Sequence, residues 1–217
     1  MILPSPLKTI EADQLVRCQA IIKILCDIRP PKPVDAAYLF AQTKDNEKSS
    51  FFVARELVSR SLSMKILILD SEPGSGYAGF DDWKGKLAKF GIEDNQIVRV
   101  NLGRRNHNTL TEAEAVVRFA KYNNYQAIVI SAAPFHQVRA FMTTVRVATD
   151  EYPELKIYSI PGKALAWNES VIHSQGTLAA ERSELINSEM ERIDRYIRKG
   201  DLISFEEVAQ YLERRDR

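Results

Sequence analysis

The chain has 217 residues, of which 45% are hydrophobic and 27% charged, and its formal net charge is +1. This is the composition of a globular protein, and the balanced charge argues against a protein that binds nucleic acid or an acidic membrane surface. The sequence has no signal-peptide pattern and no apolar run of the roughly 20 residues that a membrane-spanning helix needs, so we expect a cytoplasmic protein. Cys18 and Cys26 lie in one predicted helix, too far apart along its axis to pair, and no zinc-site spacing is present.

Helices and strands alternate along most of the chain. An amphipathic pattern predicts a first helix over residues 10–28. Apolar runs predict strands at 34–40, 64–70, 95–102, 125–131 and 155–161. Amphipathic segments predict helices at 48–62, 80–91, 109–122 and 134–151. Continuous apolar strands that alternate with helices indicate an α/β protein: a three-layer, Rossmann-like domain with a mostly parallel five-stranded sheet.

The pattern divides the chain into three segments. Residues 1–33 form an N-terminal helical segment, because the prolines of RPPKP cannot continue a helix. Residues 34–165 form the Rossmann-like domain. Residues 166–217 are predicted to be a C-terminal helical extension packed on the core, with one helix over 177–198 and another from Phe205.

Polar residues follow the predicted strands, where parallel sheets bind their ligands. The candidate ligand-binding residues are Thr43, Asp45, Glu47, Asp70, Ser71, Glu72, Arg105, Asn108, Thr109, Glu112, Ser131, His136 and Arg139. His136 is the candidate general acid or base, because the pKa of an unperturbed histidine lies near neutrality.

The loop after the fourth strand carries the strongest signal. Pro134 suits the first turn of the following helix, which places His136 and Arg139 on one face of that turn. A cation there opposes the helix dipole, and a bound anion would offset this cost. The alternative is that Arg139 pairs with a neighbouring carboxylate while His136 caps or packs.

Two further segments flank this region. Thr109 and Glu112 fit a capping box at the start of a helix, next to Arg105 and His107. The segment GSGYAG at 74–79 matches G-x-G-x-x-G, but it follows the second strand, and no acidic residue ends the next strand. We therefore interpret it as a turn that approaches the site and not as a dinucleotide fingerprint.

Two acidic pairs, Asp45 with Glu47 and Asp70 with Glu72, leave other functions open. They could hold magnesium in a metal-assisted phosphoester hydrolase, which requires them to converge within about 4–5 Å of one point. A third hypothesis is a non-catalytic interaction domain, whose strand edge would be flat and filled.

Four segments between residues 34 and 165 resemble a bacterial family of unknown function that includes YdcF, SanA and ElyC. They are DAAYLFAQTKDNE, LDSEPGSGYAGFDDW, NHNTLTEAEA and SAAPFHQVRA. The residues that match the two recurrent motifs of the family are Asn108, Thr109, Glu112, Ala113, Ser131, His136, Arg139 and Ala140. The resemblance implies an uncharacterised Rossmann-like protein with a nucleotide-like ligand or cofactor such as S-adenosylmethionine.

The leading hypothesis is a domain that binds a small anionic, nucleotide-like molecule at the C-terminal edge of the sheet. Arg139, His136 and the helix start at 108–109 would surround the anion. On this hypothesis Arg139→Ala abolishes stabilisation by the ligand and leaves the fold intact.

Overall fold

The structure is a computed structural model that describes residues 6–103, 107–173 and 178–217. The strands are β1 (Ala36–Leu39), β2 (Ile66–Asp70), β3 (Ile97–Asn101), β4 (Ala127–Ser131), β5 (Lys156–Ser159), β6 (Ser170–His173) and β7 (Leu178–Glu181). The α-helices are α1 (Pro6–Leu25), α2 (Glu47–Ser59), α3 (Phe80–Lys89), α4 (Thr109–Tyr122), α5 (Pro134–Glu151), α6 (Leu185–Lys199) and α7 (Phe205–Asp216). A short 3₁₀ helix, Asp94–Gln96, precedes β3.

The central sheet confirms the predicted α/β fold. Five parallel strands run in the order β3-β2-β1-β4-β5, with Leu39 of β1 paired to Ile68 of β2 on one side and to Ser131 of β4 on the other. The chain therefore builds outward from β1 in one direction as far as β3, then returns through α4 to β4. This reversal opens a crevice between the carboxyl ends of β1 and β4, where Rossmann-like proteins bind ligands.

Alternation along the strands divides the core into two apolar layers. Tyr38 and Phe40 pack with residues of α1, α4, α5 and α7. Ala37 and Leu39 face the other way and pack with residues of α2 and α3. Successive side chains of a strand point to opposite faces, so continuous apolar strands require helices on both faces.

The predicted elements from 34 to 165 are all present, with ends that differ by a few residues. The capping box predicted for Ser204 and Glu207 is confirmed. The box predicted for Thr109 and Glu112 is wrong. Asn108 caps α4 and exchanges hydrogen bonds with Thr111, which frees the side chain of Glu112 for other contacts.

The C-terminal region is not wholly helical, so the helix predicted over 177–198 is wrong in its first turns. Strands β6 and β7 form an antiparallel hairpin, and α6 begins only at Leu185. Arg182, which is 2% exposed, follows the hairpin. Its guanidinium donates hydrogen bonds to Asn46 Oδ1 and to the carbonyl of Asp45, and it forms an ion pair with Glu169. These long-range contacts override the helical propensity of LAAERSEL.

Helices from both ends of the chain cover the same face of the sheet. Helix α7 packs on α1, and α6 packs on α5. A buried ion pair joins Asp27, just after α1, to Arg215 of α7, with 2.6 Å between Oδ2 and Nη1. None of the described helices is long and apolar enough to cross a membrane.

Candidate functional site

A cavity of about 370 Å³ opens at the carboxyl ends of β1 and β4. Its walls come from the residues after β1, the glycine-rich loop before α3, the first turns of α4 and α5, and one face of α6. Six of the candidate residues line it: Thr43, Asn108, Thr109, Glu112, His136 and Arg139. Candidate residues that follow β1, β3 and β4 thus line one cavity.

His136 and Arg139 both contact Thr109, the first residue of α4. His136 Nε2 lies 3.1 Å from Thr109 Oγ1, and the Arg139 guanidinium donates a hydrogen bond to the same hydroxyl oxygen. The first turns of α4 and α5 are thereby joined at the floor of the crevice. Both residues are buried, with 6% of the surface of His136 and 8% of that of Arg139 exposed.

Gln42 determines the tautomer that we assign to His136. Its side-chain nitrogen donates to the carbonyl of Phe40 at 3.4 Å and lies 3.1 Å from His136 Nδ1. An amide N–H can only donate, so Nδ1 is the acceptor and the proton of the neutral ring sits on Nε2. Nε2 then donates to Thr109 Oγ1, which also accepts a hydrogen bond from Arg139. The hydroxyl hydrogen of Thr109 is therefore left for another acceptor.

Arg139 has a protein partner, as the alternative interpretation proposed. Its guanidinium forms two hydrogen bonds with the carboxylate of Glu189 in α6, at 2.6 Å and 3.0 Å. The negative charge expected from a ligand at Arg139 is thus supplied by Glu189. Any anion in the cavity must be held mainly by other cations.

Those cations come from α6 and were missed in the sequence. Arg192 and Arg195 line the cavity, and Arg192 lies 3.0 Å from Glu189 Oε1. Arg195 is exposed and has no ion-pair partner among the residues that the structure describes. The sequence does show that Glu189, Arg192 and Arg195 are spaced three residues apart, so that a helix places them on one face. Nothing local, however, indicates which element that face meets.

Glu112 is a buried carboxyl group at the inner wall, 4% exposed. Its Oε2 accepts hydrogen bonds from the N–H of Ala41 at 2.9 Å and from the hydroxyl of Tyr38 at 2.8 Å. Burial raises the pKa of Glu112 to about 7, although these two donors and the charge of Arg139 act to lower it. A pKa near neutrality suits a general acid or base, the role predicted from sequence for His136.

The glycine-rich loop forms one wall of the cavity. Ser75 and Tyr77 line the cavity, and Tyr77 is bridged to Thr43 while its hydroxyl donates to the carbonyl of Leu69. Gly79 ends the loop at φ 91°, where an added Cβ would lie 2.9 Å from Pro73 Cδ. The ring of His107 packs against this loop, with its centroid 6.1 Å from that of Tyr77, and burial lowers the pKa of His107.

Asn108 caps its own helix. Its side-chain oxygen accepts from the N–H groups of Leu110 and Thr111, and the N–H of Glu112 bonds to the Asn108 carbonyl. These donors of the first turn of α4 are therefore already satisfied. The hydrogen-bond donors available to the cavity at this point are therefore side chains, and not these N–H groups of α4.

The acidic residues that follow β1 do not face the cavity. Asp45 Oδ2 accepts a hydrogen bond from the N–H of Ile172 at 2.8 Å. Glu47 is buried and forms an ion pair with Lys86 of α3, and burial raises the pKa of Glu47. Each carboxylate is engaged with a different neighbouring element.

The residues that follow β2 lie in a separate surface depression. Asp70, Ser71 and Glu72 line this depression together with Arg99, whose Nη1 is 2.8 Å from Asp70 Oδ1. No group of three or more histidine, cysteine, aspartate or glutamate residues within 6–103, 107–173 and 178–217 is arranged to hold a metal ion. The two acidic pairs thus lack the convergence that the hydrolase hypothesis requires.

Two candidates remain. Ser131 is fully buried at the end of β4, and its hydroxyl has no hydrogen-bond partner in the described part of the chain. It does not line the cavity. Arg105 lies outside the described residues.

Comparison with known proteins leaves the family open. No protein-family model matches the chain. No curated protein matches its sequence either. The resemblance to the family of YdcF, SanA and ElyC stays a prediction from the motifs.

Proposed function

We propose that the protein binds a small phosphorylated molecule in the cavity between the carboxyl ends of β1 and β4. The observation that carries this proposal is the charge of the lining. Arg139, Arg192 and Arg195 contribute three guanidinium groups, against the carboxyl groups of Glu189 and Glu112. Even with both carboxyl groups ionised, an excess positive charge remains among these residues.

Arginine suits a phosphate because its planar guanidinium presents paired N–H donors to two oxygens. Arg195 stands at the exposed side of the cavity, and Arg192 lies one turn before it. Thr109 adds a hydroxyl hydrogen from the inner side. A phosphate between these groups would receive donors from both α4 and α6.

The size and lining of the cavity support a small polar occupant. A volume of about 370 Å³ falls near the lower end of the usual range for small-molecule sites, roughly 300–1,000 Å³. Much of the lining consists of hydroxyl, amide and charged side chains. An open polar cavity is also the opposite of the filled strand edge that an interaction domain would present.

The resemblance to YdcF-like proteins implies a nucleotide-like ligand, and a small phosphorylated molecule is compatible with that broader class. The arginines favour a phosphorylated ligand over S-adenosylmethionine, because the sulfonium group of that molecule is itself positive. The metal-assisted hydrolase is not favoured, because Asp45 and Glu47 are engaged with other elements and Asp70 and Glu72 lie in a separate depression.

Thermal unfolding of the purified protein tests the proposal. Inorganic phosphate, ribose 5-phosphate and S-adenosylmethionine are titrated separately at constant ionic strength in chloride buffer. We expect saturable stabilisation by the phosphorylated compounds, as mass action requires of a ligand that binds only the folded state. We expect Arg195→Gln to weaken their apparent affinity about tenfold, the effect of one charge-assisted hydrogen bond.

Arg198→Gln is the matched control, because Arg198 is an exposed arginine of the same helix outside the cavity lining. It should bind like the wild type. The proposal fails if neither inorganic phosphate nor ribose 5-phosphate stabilises the protein, or if S-adenosylmethionine alone does so. It fails equally if Arg195→Gln and Arg198→Gln have the same affinity for these two compounds.

A further inference from the structure

The lining of the cavity combines two kinds of chemistry. Arg192 and Arg195 contribute guanidinium groups from α6. Glu112 contributes a carboxyl group from α4, and Oε2 of this group accepts hydrogen bonds from Ala41 and Tyr38. Among the described residues, none donates a hydrogen bond to the other oxygen, Oε1.

A carboxyl group in this place would not help to bind a bare phosphate, because an ionised carboxylate repels it. The N–H of Ala41 and the hydroxyl of Tyr38 both bind Oε2, and these two bonds restrain the whole carboxyl group, Oε1 included. A fixed acceptor in a partly desolvated wall favours a ligand group that can donate a hydrogen bond, and penalises one that cannot.

We propose that the occupant is a sugar phosphate, whose phosphate group contacts Arg192 and Arg195 and whose hydroxyl groups donate hydrogen bonds to Glu112 Oε1. This inference rests on the proposed function and adds the specificity-determining residue. Gln42, Thr43 and Ser75 line the same cavity and provide further hydrogen-bonding groups for a polyol. Hydrogen bonding to a charged acceptor discriminates more strongly than contact with an apolar wall.

Isothermal titration calorimetry with ribose 5-phosphate, inorganic phosphate and ribose tests the assignment. We expect the wild type to bind ribose 5-phosphate at least tenfold more tightly than phosphate, and ribose alone only weakly. Glu112→Gln retains an acceptor oxygen for Ala41 and Tyr38 but replaces the ionisable Oε1 by a donor. We expect this variant to lose the preference for the sugar phosphate while binding phosphate at least as well as the wild type.

Glu114→Gln is the control on the same helix, because Glu114 does not line the cavity. It should keep the wild-type preference. Should Glu112→Gln not fold, Tyr38→Phe replaces it: the loss of one donor to Oε2 should reduce the preference and leave phosphate affinity unchanged.

The outcomes separate the two proposals. Equal affinity of the wild type for phosphate and ribose 5-phosphate overturns the sugar assignment and leaves the anion site intact. An unchanged preference in Glu112→Gln, or in Tyr38→Phe where that variant is used, overturns the role of Glu112. If the protein binds neither inorganic phosphate nor ribose 5-phosphate, the proposed function itself is overturned.

Discussion

Arg139 and Glu189 form a two-bond ion pair that joins α5 to α6 beside the cavity, with Nε 2.6 Å from Oε2 and Nη2 3.0 Å from Oε1. The Glu189 side chain is fully buried and that of Arg139 is 10% exposed. Two opposite charges so far from water stabilise each other only as long as both are present. The pair therefore holds the arginine-bearing face of α6 against the site.

Arg139→Ala should destabilise the fold, contrary to the expectation from sequence. It removes two hydrogen bonds from the buried carboxylate of Glu189, which keeps its ion pair with Arg192, and we expect a loss of about 3 kcal/mol in the free energy of unfolding. Urea denaturation measures this loss. Replacing both Arg139 and Glu189 by leucine should recover much of the lost stability, because no charge of the pair is then left unpaired.

Arg146→Ala, which breaks an exposed pair with Asp150 on the same helix, should cost less than about 1 kcal/mol. Equal losses for Arg139→Ala and Arg146→Ala would contradict the importance of the buried pair.

Glu112 should make the protein less stable as the pH rises from about 4.5 to 7. Its pKa rises from 4.5 in the unfolded chain to about 7 in the folded protein, so the folded state holds the proton more tightly in this window. The stabilisation is fully present below pH 4.5 and is lost as the pH passes 7, with a total of roughly 3 kcal/mol.

The difference in urea stability between wild type and Glu112→Gln, followed across this pH range, isolates the effect from other titrating groups. The two curves should diverge as the pH rises, with the wild type falling more steeply. Parallel curves would show that Glu112 does not titrate there.

Gly162 should not tolerate a side chain. A Cβ at this position would lie 2.9 Å from the carbonyl oxygen of Ala132 and would overlap Ser49 Oγ. Gly162→Ala should therefore destabilise the protein by about 1–3 kcal/mol, the usual cost of overpacking. Gly85 offers the matched control, because it lies inside α3 with open space around its Cβ position.

Gly85→Ala should stabilise the protein by about 0.5–1 kcal/mol through the higher helix propensity of alanine. Thermal or urea unfolding distinguishes the two substitutions by sign. A Gly162→Ala variant as stable as the wild type would mean that the segment after β5 can move away from α2 without cost.

Asp27→Ala should weaken the attachment of α7. Asp27 accepts hydrogen bonds from Arg215 and from the N–H of Ser159, and the side chains of Asp27 and Arg215 are 4% and 1% exposed. Loss of the carboxylate leaves a buried guanidinium with Asp216 as an ion-pair partner, at an expected cost of about 3 kcal/mol.

Limited proteolysis would locate this effect, since early cleavage near the C-terminus is expected if α7 detaches first. Arg29→Ala, which breaks an exposed pair with Glu56, should change neither stability nor cleavage by much. Unaltered cleavage in Asp27→Ala would contradict the role of this ion pair.

The candidate site could be located only in part from the sequence. Thr109, His136 and Arg139 were predicted to meet because all three follow strands whose carboxyl ends share one edge of a parallel sheet. Glu112 was included among the candidates, but its role was assigned to capping. The direction of its side chain depends on Tyr38 and Ala41, more than 70 residues earlier in the chain.

The sequence by itself determined the α/β architecture, because the alternation of buried strands and amphipathic helices is a local pattern that only a covered parallel sheet satisfies. It also determined which loops lie at the carboxyl edge of the sheet. Only the tertiary structure decided that Glu189 neutralises Arg139, that α6 brings Arg192 and Arg195 to the cavity, and that residues 178–181 pair as a strand. These features depend on contacts between segments far apart in the chain, and local propensity carries no information about such partners.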